Sequence, residues 1–129
     1  MKKVIDIILK VVLAVILIMP VLGTVGVFPP PTPDLYNTTQ AYDFIMALTN
    51  AKYVMWIMSL VFVLSFILML AKKMALVALL ILPITINIVA FHLFLDGGLF
   101  TAGAMMGNLL LLLNIYFLWQ NRDRYKALM

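Results

Sequence analysis

Residues 53–95 read YVMWIMSLVFVLSFILMLAKKMALVALLILPITINIVAFHLFL, two long apolar runs parted only by Ala71-Lys72-Lys73. A helix needs about 20 mostly apolar residues to cross the ~30 Å hydrocarbon core of a bilayer, and each run supplies roughly that number. A joint as short as Lys72-Lys73 allows only an antiparallel return. The stretch therefore predicts a hairpin of two spanning helices, over 53–71 and 74–95.

Working outward, Asp96-Gly97-Gly98 makes a turn, and a further apolar run over 101–119 predicts another span before the polar tail 120–129. On the other side, 4–27 predicts the first span. Asp6 and Lys10 lie one turn apart there and can pair on the helix surface. Pro20 is expected to kink it, which a membrane helix tolerates when neighbours satisfy the freed carbonyl. The opening MKKVIDIILKVVLAVILIMP has the outline of a cleaved leader, but Asp6 interrupts its basic head, so it is read as a retained span.

Residues 28–52 behave differently. The run Phe28-Pro29-Pro30-Pro31-Thr32-Pro33-Asp34 cannot be helical, because consecutive prolines fix φ and remove backbone donors. Next, Asn37 is the expected helix cap, with Gln40 at the third helical position. Ala41, Phe44, Ile45 and Leu48 then follow one-sided helical spacing, with Tyr42, Asp43 and Thr49 opposite. This predicts a short interfacial helix or a polar start to the second span. Asn37-Thr38-Thr39 also matches the N-glycosylation sequon, a three-residue match of little weight.

Composition agrees with the spans. The chain is 66% hydrophobic and 11% charged over 129 residues, with a mean hydropathy of +1.16. Soluble domains run at roughly 45–50% apolar and 25% charged, and a small soluble domain could not hide this much apolar surface. The fold class expected is all-α: an integral membrane antiparallel four-helix bundle with a short interfacial helix after the first span, forming one domain over 1–129.

Orientation follows from Lys and Arg, which stay on the cytoplasmic side. Lys2, Lys3, Lys10, Lys72, Lys73, Arg122, Arg124 and Lys126 fall on one side and Lys52 alone on the other. Both termini are therefore expected on the cytosolic side of the membrane. Tyr53, Trp56, Tyr116 and Trp119 lie near span ends, where belt aromatics belong. The net charge of +4 forms no stripe of its own, which argues against a nucleic-acid partner. The chain has no cysteine, which excludes disulfides, thiolate metal sites and thiol redox chemistry by this chain alone.

No Walker loop, GxGxxG, HExxH, GxSxG or pair of catalytic carboxylates is present, so no catalytic residue and no metal site is expected. What remains is a set of polar groups inside the spans. His92, the only histidine, lies near the outer end of the third span. One reading is an imidazole hydrogen-bonded to a neighbouring helix or loop; the other is proton exchange at the outer surface. Pro83 and Asn87 sit one turn apart, where an amide could bridge the carbonyl that proline frees, or a neighbouring helix. With Thr85 they form a candidate polar notch for a ligand headgroup, and Asn108 and Asn114 in the fourth span take the same two readings. Gly103-Ala104-Met105-Met106-Gly107 is a GxxxG pattern that lets two backbones approach, whether from another span or a second copy. The ten methionines are scattered, as adaptable fillers are, and not clustered as copper ligands.

The order of these landmarks resembles the DoxX family of small bacterial four-helix membrane proteins. The resemblance rests on Phe28-Pro29-Pro30-Pro31, on 41–48 (AYDFIMAL), on Lys52-Tyr53, on the run 83–95 (PITINIVAFHLFL) and on the closing Arg122-Asp123-Arg124-Tyr125. It covers nearly the whole chain, and the third-span run is its most specific part. It implies a link to quinone-coupled oxidation or to membrane redox complexes. Such proteins often carry an acid inside the second span and another in the fourth, whereas here the corresponding segments, 59–63 and 113–116, read SLVFV and LNIY. The function expected first is therefore a non-catalytic or accessory component of a membrane assembly, redox-linked through its partners. Next stands a quinone- or lipid-binding subunit of an oxidoreductase, and then a small transporter or channel. The residues themselves point to no cofactor, and a quinone is the one the resemblance suggests; the partners expected are the lipid bilayer, other membrane subunits or further copies of the chain.

Overall fold

The computed structural model describes residues 2–128. Five α-helices follow one another: α1 (Lys2–Thr24), α2 (Thr39–Ala51), α3 (Tyr53–Leu70), α4 (Met74–Phe94) and α5 (Ala104–Gln120). Short 3-10 turns occupy Pro33–Leu35 and Arg122–Leu128, and no strand occurs among the described residues. Helices α1, α3 and α4 are long and apolar enough to cross a membrane; α5, with 17 residues, is a shorter apolar helix.

Element ends have local causes. α1 stops at Thr24, three residues before the expected boundary, because the chain turns through Gly26 at φ +90°. α5 begins at Ala104 and not at 101, since Thr101 accepts from the Ala104 N–H through both its carbonyl and its hydroxyl. The expected cap of α2 is also corrected. Thr38, in extended conformation, caps the helix by accepting from the Ala41 N–H at 3.0 Å, while Asn37 is engaged by Asp96. A single residue, Lys52, joins α2 to α3. It adopts φ 66° and ψ −49°, donates its N–H to Leu48 O at 3.2 Å and accepts from Trp56 N at 3.1 Å.

α1 packs on α3 and α5, α3 on α4, and α4 on α5, with α2 lying against α3. The shared core is apolar: Leu13, Ile16 and Leu17 of α1 meet Phe62 of α3, Val77 and Ile81 of α4, and Leu113 and Phe117 of α5. It is also thin. Only 17% of the most apolar window of α1 and of α3, and 28% of that of α4, lies buried within the protein. The remaining apolar side chains, such as Leu60 at 68% and Leu112 at 64% exposure, face outward all around. Helices apolar on every side belong in hydrocarbon, where each backbone donor and acceptor is satisfied inside its own helix.

The two ends of the molecule differ. One gathers Lys2, Lys3, Lys72, Lys73 and the tail, whose Tyr125 hydroxyl donates to Ala75 O at 2.9 Å. Lys10 pairs with Asp6 at 2.8 Å near that end. The opposite end holds the proline strap, α2 and the α4–α5 turn, where Lys52 is the one basic side chain apart from His92.

Candidate functional site

The polar end is organised by Asp96, only 2% exposed. One carboxylate oxygen accepts from the Asn37 backbone N–H at 2.8 Å, and the other lies 3.3 Å from His92 Nδ1. The Asn37 amide donates to Asp96 O at 3.1 Å, and the Thr38 hydroxyl donates to Leu95 O. These bonds clasp the strap to the end of α4. Gly97 makes the close approach possible: it holds φ +87°, and a Cβ there would sit 3.4 Å from Asn37 Cβ. A buried carboxyl group needs such partners, because burying its polar atoms without hydrogen bonds is costly. Sequence reasoning gave Asp96 only a turn; its one local signal was its position four residues after His92.

His92 is oriented by this carboxylate. With Nδ1 turned to Asp96, Nε2 is left toward α5, where a Cβ on Gly107 would lie 4.0 Å away. The ring is a partition. It borders a cleft of roughly 440 Å³ between α2, α3 and α4, and on its other side a smaller cavity of roughly 170 Å³ beside Phe62 and Leu110. Aromatic rings close over the cleft: Phe91 stacks on Phe44 with centroids 5.7 Å apart and meets Tyr36 edge-on at 6.3 Å. Burial first, and the Asp96 carboxylate second, push the Tyr36 phenol above its ordinary range.

The candidate polar residues are not gathered at one place. Asn87 and His92 line the same cleft with Phe44, Leu48, Met58 and Phe91, whereas Thr85, Asn108 and Asn114 lie elsewhere. Asn87 is exposed on that face and has no hydrogen-bond partner among the described residues. The expected bridge from Asn87 to a carbonyl freed by Pro83, or to another helix, is therefore absent, and Pro83 itself sits on an exposed surface. Asn108 donates to Leu99 O at 2.7 Å, fastening the turn ahead of its own helix. Asn114, fully buried, reaches from α5 to Ala78 O on α4 at 2.9 Å. That is interhelical adhesion, as amides inside membranes supply. The Thr85 and Ser65 hydroxyls and the Asn114 carbonyl oxygen are buried without a partner among the described residues.

The GxxxG glycines separate in the same way. A Cβ on Gly107 would meet Ile88 Cγ2 at 3.1 Å, so this glycine lets α5 approach α4 of the same chain. A Cβ on Gly103 would find only ordinary contacts, at 3.7 Å from Asp96 and 3.8 Å from His92. The close-packing role expected of both falls on Gly107, because Gly103 lies ahead of α5 as its capping residue.

Among the described residues no three His, Asp or Glu side chains come together as metal ligands. Comparison with protein-family models, with curated proteins and with solved structures finds no match.

Proposed function

We propose that this chain is a four-span antiparallel helical protein of the bacterial inner membrane, with both termini cytosolic, that holds an amphiphile in its outer cleft. The occupant is a quinone or a lipid. In this reading the protein is a non-catalytic, DoxX-like subunit that retains the molecule for a partner in the same membrane. The ring of contacts among α1, α3, α4 and α5 supports four spans, and the separation of lysines from the polar end supports the orientation.

One observation carries the ligand reading: among the described residues the Asn87 amide has no partner, on the wall of a cleft whose only other polar side chains are Tyr36 and His92. A polar group at membrane depth is costly unless it is satisfied. A primary amide offers two N–H donors and a carbonyl acceptor, suited to the carbonyl of a quinone ring or of an acyl ester. Phe44 and Phe91 supply flat surfaces for a ring, and His92 closes the end.

Asn87→Leu is the discriminating variant, because Asn87 makes no bond that holds the fold. A menaquinone analogue titrated into the full-length protein in detergent is expected to bind roughly tenfold more weakly to Asn87→Leu than to wild type, as loss of one buried hydrogen bond implies. Equal affinities would remove Asn87 as the headgroup contact.

A further inference from the structure

A second chamber adjoins the cleft. It measures roughly 680 Å³, and its walls come from the end of α1, the strap Pro29–Pro30–Pro31, α2 and the first turns of α3. It meets the Asn87 cleft at Tyr36, Ile45, Met55 and Met58, which line both. Lys52 is the only formally charged residue on its lining, and it enters no ion pair among the described residues. Trp56 stands beside it, half exposed at 55%.

The neighbouring threonine hydroxyls are already engaged. Thr24 donates to Pro20 O at 3.0 Å and accepts from Ser59, and Thr49 donates to Ile45 O at 2.8 Å. The wall therefore offers an incoming molecule one cation, the hydrogen-bonding groups of Tyr36 and Trp56 beside it, and a large apolar surface. A ligand that matches has a single negative headgroup and a long hydrocarbon tail. Trp side chains favour the headgroup level of a membrane, which places the ammonium where lipid phosphates lie.

We infer that this chamber takes an anionic phospholipid from the surrounding leaflet, its phosphate on Lys52 and an acyl chain against Met55 and Met58. The site is separate from the Asn87 contact: a lipid seated here flanks the neighbouring cleft and closes its side. The lysine supplies the selectivity for negative charge, and the methionines, flexible and unbranched, follow the contour of a chain.

Brominated lipids test this in the intact protein. In a Trp119→Phe background Trp56 is the only tryptophan, so its quenching reports bromine near the chamber. In phosphatidylcholine bilayers, a minor fraction of brominated phosphatidylglycerol is expected to quench as though enriched roughly fivefold at the site, the preference one lysine gives an anionic lipid near a surface. Lys52→Gln should reduce quenching to that of equally brominated phosphatidylcholine, and Lys52→Arg should restore it. Both variants share the backbone strain of Lys52, and circular dichroism confirms that each is folded. Equal quenching by the two brominated lipids in the wild-type background, or selectivity undiminished in Lys52→Gln, would overturn the inference. Failure of menaquinone-analogue binding would leave this result untouched, since that readout depends on Asn87.

Discussion

The Asp96 carboxylate reaches farther than its own hydrogen bonds. Tyr36 ionises with more difficulty in the folded chain than the ordinary 10.0, through burial and then through Asp96. A phenol with a raised folded-state pKa favours the fold fully below its unfolded value, and that contribution is lost as pH climbs past 10.0 through the folded pKa. Asp96→Asn, which keeps an oxygen for the Asn37 N–H, should bring Tyr36 part of the way back toward the ordinary range. Tyrosinate absorbance, taken as the difference from Tyr36→Phe, reports the shift; an unmoved titration would show that the carboxylate plays no part. None of this clasp was legible in the sequence. Asn37 and Asp96 are 59 positions apart, and no periodicity connects a loop asparagine to a distant turn. His92 did stand out, being the one histidine in an apolar run, but its partner was hidden in what looked like an ordinary Asp-Gly-Gly turn.

Where α4 meets α5, a glycine and an asparagine divide the labour. Gly107→Leu should destabilise the protein by on the order of 1–3 kcal/mol, because even its first carbon would press on Ile88 Cγ2 at 3.1 Å and the rest of the side chain would overpack the contact. Gly103→Ala should stay within about 0.5 kcal/mol of wild type, as substitutions in open surroundings do. Thermal unfolding in mild detergent separates the two; equal melting temperatures would count against the close approach at Gly107. Asn114→Leu is expected to cost about 0.6 kcal/mol, the usual worth of one amide bond between membrane helices. The spacing of small residues announced that two backbones come together. It did not say which glycine sits at the crossing, since that depends on the angle between the helices. The helices themselves were easy to find within a few residues, because an apolar run of spanning length can be little else. Their exact ends were set by Gly26, Thr38 and Thr101, whose hydrogen bonds and backbone angles follow from tertiary placement.

At the scale of the whole molecule, hydrocarbon does the work that a large core does in a soluble protein. The buried centre is narrow and the outward faces are apolar throughout, so composition alone was enough to assign a membrane setting. The absence of cysteine makes the topology straightforward to probe. A single Asp34→Cys chain in intact cells should react with an impermeant maleimide, whereas Lys73→Cys should react only after the membrane is opened. The reverse pattern would invert the protein, and equal labelling of both would argue against sealed spans. The corner at Lys52 has a consequence at this same scale. With one residue between two helices, nothing can absorb a change in chain length. An extra residue there would turn α2 by about 100° about its own axis, swinging Phe44 and Ile45 away from the cavity walls they complete. The joint acts as an indexed coupling between α2 and α3: a substitution at this corner leaves the rotational setting of α2 in place, whereas a change in residue number resets it.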